Sequence, residues 1–151
     1  MPPREISLRE RALRFLAARE HSRTELRRKL APHAESAEAL DTLLDELTGG
    51  KQLSDARFAE ARAHVMERKF GASRIAHDLR SKGVSDEEAH KAVTAARATD
   101  LERARDVYNR KFRMPATSRE ETAKRMRFLQ SRGFSFDVIR AVLDGTVDGD
   151  C

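Results

Sequence analysis

The feature that most restricts how this chain can fold is a repeat. The stretch Arg80-Ser-Lys82-Gly83-Val84-Ser85 returns fifty residues later as Gln130-Ser-Arg132-Gly133-Phe134-Ser135. In the same register Leu79 matches Leu129, Ala89 matches Ile139 and Val93 matches Leu143. Going back 49 residues, Leu26, Leu30, Leu40 and Leu44 stand where Ile75, Leu79, Ala89 and Val93 do. Leu26 and Leu30, like Leu40 and Leu44, are four apart and share one helix face. A period near fifty therefore predicts a three-helix unit used three times. The match is weakest in the third unit. Arg125 stands there at the Leu26/Ile75 position, so its core is expected to use Met126 with Leu129.

Local signals agree with an all-α chain. Apolar residues recur at three- and four-residue spacing, and strand-like alternation is nearly absent. Ser/Thr-x-x-Glu marks helix starts at Ser7/Glu10, Ser22/Glu25, Ser85/Glu88, Thr99/Glu102 and Ser118/Glu121. Stops fall at Pro32, Gly49-Gly50, Gly71, Gly83, Pro115, Gly133 and Gly145. The predicted helices span 8–20, 23–31, 37–48, 55–69, 73–81, 86–98, 101–113, 119–131 and 136–144. The expected organisation is an N-terminal arm (1–7), three units (8–52, 53–99 and 100–144) and a C-terminal tail (145–151). A unit of ~45–50 residues is marginal alone, because it buries too little apolar surface to offset its ordering entropy. Neighbours must support one another, so an elongated tandem array of three-helix, helix-turn-helix-like repeats is predicted.

The chemistry expected of such a chain is binding. Charged residues make up 36% and aromatic residues 5%, which suits long solvated faces better than an enclosed pocket. The five histidines, His21, His33, His64, His77 and His90, lack helix-borne zinc spacing. Cys151, at the last position, has no base near it in sequence and allows no internal disulfide. There is no phosphate-cradling glycine motif. Carboxylates stand beside basic residues along helix faces, as in Glu25–Lys29. No catalytic, metal or cofactor residue is assigned, and no enzyme is expected. With no apolar run near ~20 residues and no secretory signature, the expected setting is the cytoplasm. Charge rises along the chain: residues 1–50 carry 9 basic and 9 acidic groups, and residues 101–151 carry 11 and 8. The overall excess of +5 favours an anionic partner.

Three stretches in order resemble the RecX family of regulatory proteins. They are Arg11-Ala-Leu-Arg-Phe-Leu-Ala-Ala-Arg-Glu-His-Ser-Arg-Thr-Glu-Leu-Arg-Arg-Lys-Leu30, Leu53-Ser-Asp-Ala-Arg-Phe-Ala-Glu-Ala61, and Lys82-Gly-Val with Arg127-Phe-Leu-Gln-Ser-Arg-Gly-Phe-Ser135. The likeness covers roughly residues 8–144. It implies tandem three-helix units that act without catalysis. It also implies a protein that lies in the groove of the RecA–single-stranded-DNA filament, bridges protomers and opposes filament growth. Recombinase, ATPase and coprotease activities of RecA would then fall.

The expected partners are RecA and its filament, with weak DNA contact possible and the protein itself monomeric. With Leu26 and Leu30 facing inward, Arg28 faces outward, Arg27 lies at the boundary and Arg23 near the helix start. Arg74, Arg80 and Lys82 occupy the comparable region of the second unit, and Lys124, Arg125, Arg127 and Arg132 that of the third. These ten are the candidate contacts. Phe128 projects to the other side of its helix, either packing on an adjacent unit or standing as an exposed anchor, and packing is favoured. Phe15, Phe58 and Phe112 are expected in cores. The alternative reading is a helix-turn-helix DNA-binding protein acting without RecA.

Overall fold

The computed structural model describes residues 5–148; residues 1–4 and 149–151, and with them Asp150 and the terminal thiol, lie outside the described residues. The described residues form eight α-helices and a single 3-10 turn, with no strand. The helices are α1 (Leu8–Ala18), α2 (Arg23–Leu30), α3 (Ala37–Gly49), α4 (Asp55–Met66), α5 (Ala72–Ser81), α6 (Asp86–Lys111), α7 (Arg119–Ser131) and α8 (Phe136–Asp148), and the turn is Ala31–His33. Serine starts seven of them, with the Ser135 hydroxyl accepting from the Val138 amide at 3.3 Å ahead of α8. The hydroxyls of Ser7, Ser22, Ser36, Ser54, Ser85 and Ser118 each accept from the amide three residues on. Each such cap contributes about 1 kcal/mol.

Helix α6 corrects the sequence reading. The helices expected at 86–98 and 101–113 are one continuous helix of 26 residues. Thr99 does not cap. Its hydroxyl donates to the Ala96 carbonyl at 3.3 Å and accepts from Arg103 Nε at 3.1 Å. No Gly or Pro occurs between Gly83 and Pro115, so nothing there stops a helix. Thr99 simply bonds back into its own turn.

Three separate apolar clusters form the cores. The first gathers Ala12, Leu26, Leu30, Leu40, Leu43, Leu44, Leu47 and Leu53, with Phe15 packed against it. The second gathers Phe58, Ile75, Leu79, Val84, Val93 and several alanines. The third gathers Ala104, Val107, Tyr108, Leu129, Phe134, Ile139 and Val142, with Phe112 and Phe128 at its edge. The inward positions of the first two units are therefore those the repeat register predicts. Three small cores leave much surface outside: the chain exposes 10224 Å², against about 7,800 Å² for a compact protein of its mass.

The third unit obeys the register in a way the sequence did not suggest. Arg125 occupies the Leu26/Ile75 position and is buried, 9% exposed, while Met126 is only partly buried. Its guanidinium donates to the Tyr108 hydroxyl at 2.8 Å and lies 4.6 Å from the Phe112 ring centroid. The long apolar stem and flat cation replace an aliphatic side chain.

The units join by one repeated device. At the first seam, Ser22 Oγ donates to the Lys82 carbonyl at 2.7 Å, and Gly83, at φ +86°, abuts Thr24. At the second, the Gly71 amide donates to the Arg132 carbonyl at 2.7 Å, and Gly133, at φ +90°, abuts Arg74. Each glycine turn thus docks on the start of the preceding unit's second helix. Both turns need glycine twice over. The backbone is left-handed, and a Cβ on Gly133 would sit 2.7 Å from the Arg74 backbone nitrogen.

Candidate partner-binding surface

The ten cations singled out in the sequence lie in four different settings. Arg28, Lys124 and Arg127 are exposed and form no ion pair or hydrogen bond with another described side chain. Arg23 pairs with Asp45 at 2.8 Å and Arg27 with Asp41 across the first unit. Arg80 stands 3.8 Å from Asp86, and Lys82 pairs with Asp78 at 3.0 Å. Such surface pairs hold their cations weakly, at about 0–1 kcal/mol each, and leave them exchangeable. Arg74 and Arg132 belong to the second seam. Arg74 donates to the Ser131 carbonyl at 2.5 Å and lies 4.5 Å from the Phe70 ring, with Arg132 at 5.4 Å from the same ring. Arg125 is inside the third core, so it is not the exposed contact that the sequence reading made it.

The first seam is neutralised. Arg19 pairs with Glu25 at 2.7 Å, Arg57 with Glu20 at 2.9 Å and Arg62 with Asp78 at 3.1 Å. The Arg19 hydrogen bonds hold the Glu25 carboxyl below its usual range. Burial pushes Asp78 up, but the hydrogen bonds from Arg62 and Lys82 outweigh it and the net shift is down. The expected Glu25–Lys29 pair does not form. Lys29 Nζ instead donates to Nε2 of the buried His21 at 2.8 Å, while His21 Nδ1 donates to the Arg19 carbonyl at 3.0 Å. Burial lowers the His21 pKa, and the ring is neutral in this arrangement.

The second seam is held by Arg103. Its guanidinium donates to the carbonyls of Glu67 at 3.0 Å, Phe70 at 2.5 Å and Ala96 at 2.8 Å, and pairs with Asp100. Asp100 also accepts from the Ala72 amide at 3.2 Å. Burial pushes the Asp100 carboxyl up, against the pull of Arg103. One side chain thereby ties the turn after α4 to the middle of α6.

Around this clamp the structure gathers four cations that the sequence reading missed, Arg68, Lys69, Arg110 and Lys111, beside Arg132, which it had named. A concavity of about 230 Å³ is lined by Arg68, Lys69, Val107, Arg110, Lys111, Phe128 and Arg132. Phe128 packs edge-on against Phe112 at 5.5 Å between ring centroids, a contact inside its own unit and not the contact with an adjacent unit that was expected. A signal was present in the sequence: Arg-Lys-Phe occurs at 68–70, in the turn after α4, and again at 110–112, at the end of α6. Only tertiary structure puts the two copies side by side.

Among the described residues, no His, Cys, Asp or Glu side chains group as metal ligands, and no helix is long and apolar enough to cross a membrane. Fold and surface together define an all-helical protein of three tandem three-helix units with an extended, charged exterior. The comparisons narrow that class. Residues 9–47, 54–93 and 98–143 match the first, second and third three-helix domains of RecX. The regulatory protein RecX of Leptothrix cholodnii is 47% identical over 139 residues, covering 92% of this chain and 88% of that protein. The one from Ralstonia nicotianae is 40% identical over 145 residues, covering 96% and 91%. The crystal structure of RecX from Lactobacillus salivarius shares the fold, with a TM-score of 0.80 at 20% identity over 91% of this chain and 93% of that one. The chain belongs to the RecX family of regulatory proteins.

Proposed function

We propose that this protein regulates RecA without catalysing a reaction, by binding the RecA–single-stranded-DNA filament and opposing its extension. Membership of the RecX family across all three units carries the reading. The physical form suits it. Three linked units spread weak contacts over several protomers, and effective concentration turns them into one firm attachment. The exposed cations give complementarity to acidic walls and to phosphates. Arg28, Lys124 and Arg127 are the first contacts to test, followed by Arg23, Arg27, Arg80 and Lys82 in their exchangeable pairs. Arg74 and Arg132 serve the seam first, and Arg125 is withdrawn from the contact set.

The test adds the protein below RecA stoichiometry and follows DNA-dependent ATP hydrolysis and strand exchange. Both rates are expected to fall, and unchanged rates at near-physiological salt would remove the proposal. Reversing the charge of Arg28, Lys124 and Arg127 together should weaken inhibition while the melting temperature stays nearly constant. Tight, sequence-selective duplex binding without RecA would point instead to a helix-turn-helix reader.

A further inference from the structure

The concavity at the second seam has the composition of a ligand site. Five cations, Arg68, Lys69, Arg110, Lys111 and Arg132, line it with Val107 and Phe128, and no carboxylate does. None of the five forms an ion pair with a described residue, whereas Arg19, Arg57, Arg62 and Lys82 at the first seam all do. Like charges brought together without counter-charges repel, so the fold alone gives no reason to collect them.

The cations are also held in place. Arg68 and Lys69 ride on the turn that Arg103 fixes through the Glu67 and Phe70 carbonyls. Arg110 lies seven residues beyond Arg103, two turns along the same face of α6. Arg132 is set by the hydrogen bond that its carbonyl accepts from the Gly71 amide. Phe128 steadies two of them, with Lys111 Nζ 4.2 Å and the Arg132 guanidinium 5.2 Å from its ring centroid. Three elements thus present positive charge to one small space, and the backbone that carries it is ordered before any ligand arrives.

We propose that this concavity binds the tandem phosphoryl groups of a compact polyphosphate, carried by a nucleoside di- or triphosphate or by free pyrophosphate. Its size and layout select that class. At about 230 Å³ it is smaller than the ~300–1,000 Å³ that encloses a drug-sized ligand, so it takes the charged part and leaves the remainder outside. Five cations share the lining of one small concavity, which fits several negative charges on neighbouring atoms better than a strand's spaced phosphates. Arginine supplies paired donors to phosphate oxygens and lysine supplies mobile point charge.

The experiment is calorimetric titration of the full chain, without RecA, using pyrophosphate, ATP, ADP, AMP and a short thymidine oligonucleotide as probes. Saturable binding of ATP, ADP or pyrophosphate is expected, with AMP weaker, and bound ligand should raise the melting temperature. The triple variant Lys69→Gln, Arg110→Gln, Lys111→Gln should lose about tenfold or more in affinity. A variant with the same charge change elsewhere, Arg14→Gln, Arg97→Gln, Arg119→Gln, should lose less than about twofold. All six side chains are exposed, so both variants should keep the helical signal of the parent. If pyrophosphate, ATP and ADP separate free phosphate from nucleotide, either source supports the site. Absence of saturable binding, equal losses in the two variants, or binding of the oligonucleotide alone would overturn it. Because RecA is absent, the result stands apart from the filament proposal.

Discussion

The two seams use one backbone device and opposite electrostatics. In both, the cap residue of one unit's second helix donates to the carbonyl before the next unit's glycine, from Ser22 Oγ in one case and from the Gly71 amide in the other. Around the first, Glu20, Glu25 and Asp78 pair with the neighbouring cations. Around the second, five cations stand without carboxylates, and the guanidinium of Arg103 does the fastening. The repeat therefore dictates how units dock and leaves the charge of each seam free. A protein built this way can keep its shape while giving each joint a different partner.

The largest difference between the two seams is expected at Arg103. Arg103→Met would strip the turn after α4 of its donors and leave Asp100 buried without its partner. The expected cost is about 3–5 kcal/mol, read by urea unfolding. No counterpart at the first seam should match it; Arg57→Met, in a surface pair, should cost about 1 kcal/mol or less. An equal loss at the two sites would mean that the seams are fastened alike.

The glycines come next. Gly133→Ala forces a left-handed alanine against backbone and should cost about 3 kcal/mol. Gly83→Ala meets the Thr24 side chain instead, with a Cβ 2.5 Å from its Cβ, and should cost about 2 kcal/mol. Thr24→Ala should recover part of the second loss and none of the first. Thermal melting of the four variants decides it, and recovery of Gly133→Ala by Thr24→Ala would contradict the docking described.

The smallest effect is in pH. His21 is neutral beside Lys29, with a pKa held by burial below the usual 6.5. The unfolded chain therefore takes up the proton first as pH falls, and stability is lost below about 6.5. The melting temperature should drop by a few degrees between about pH 7 and pH 5.5, and His21→Asn should flatten that slope. The second seam carries no such group, so a slope unchanged in His21→Asn would remove the assignment.

What the sequence disclosed was the part written in local chemistry. Hydroxyl caps, glycine stops and aliphatic pairs four apart placed the helices and the inward faces of the first two units, because each depends on neighbours within one or two turns. Of the three misreadings, one was local and two needed distant residues. Thr99 with Glu102 has the form of a cap, yet no breaker separates the flanking segments and helix continuation wins. Arg125 looks like surface until Tyr108 and Phe112 provide a socket for its guanidinium. The paired Arg-Lys-Phe tripeptides are far apart in sequence, and their convergence follows from how α4 and α7 meet α6.

Helix α6 has a mechanical consequence. At 26 residues it is a rod about 39 Å long, and it packs against α4 and α5 at one end and α8 at the other. Torque applied to the last unit is transmitted along a single stiff member to the middle one. The link through Gly49, Gly50 and Lys51, with Lys51 at φ 65°, has no such spar. Between the first two units stiffness therefore rests on the seam contacts alone, and between the last two on the seam and a shared helix.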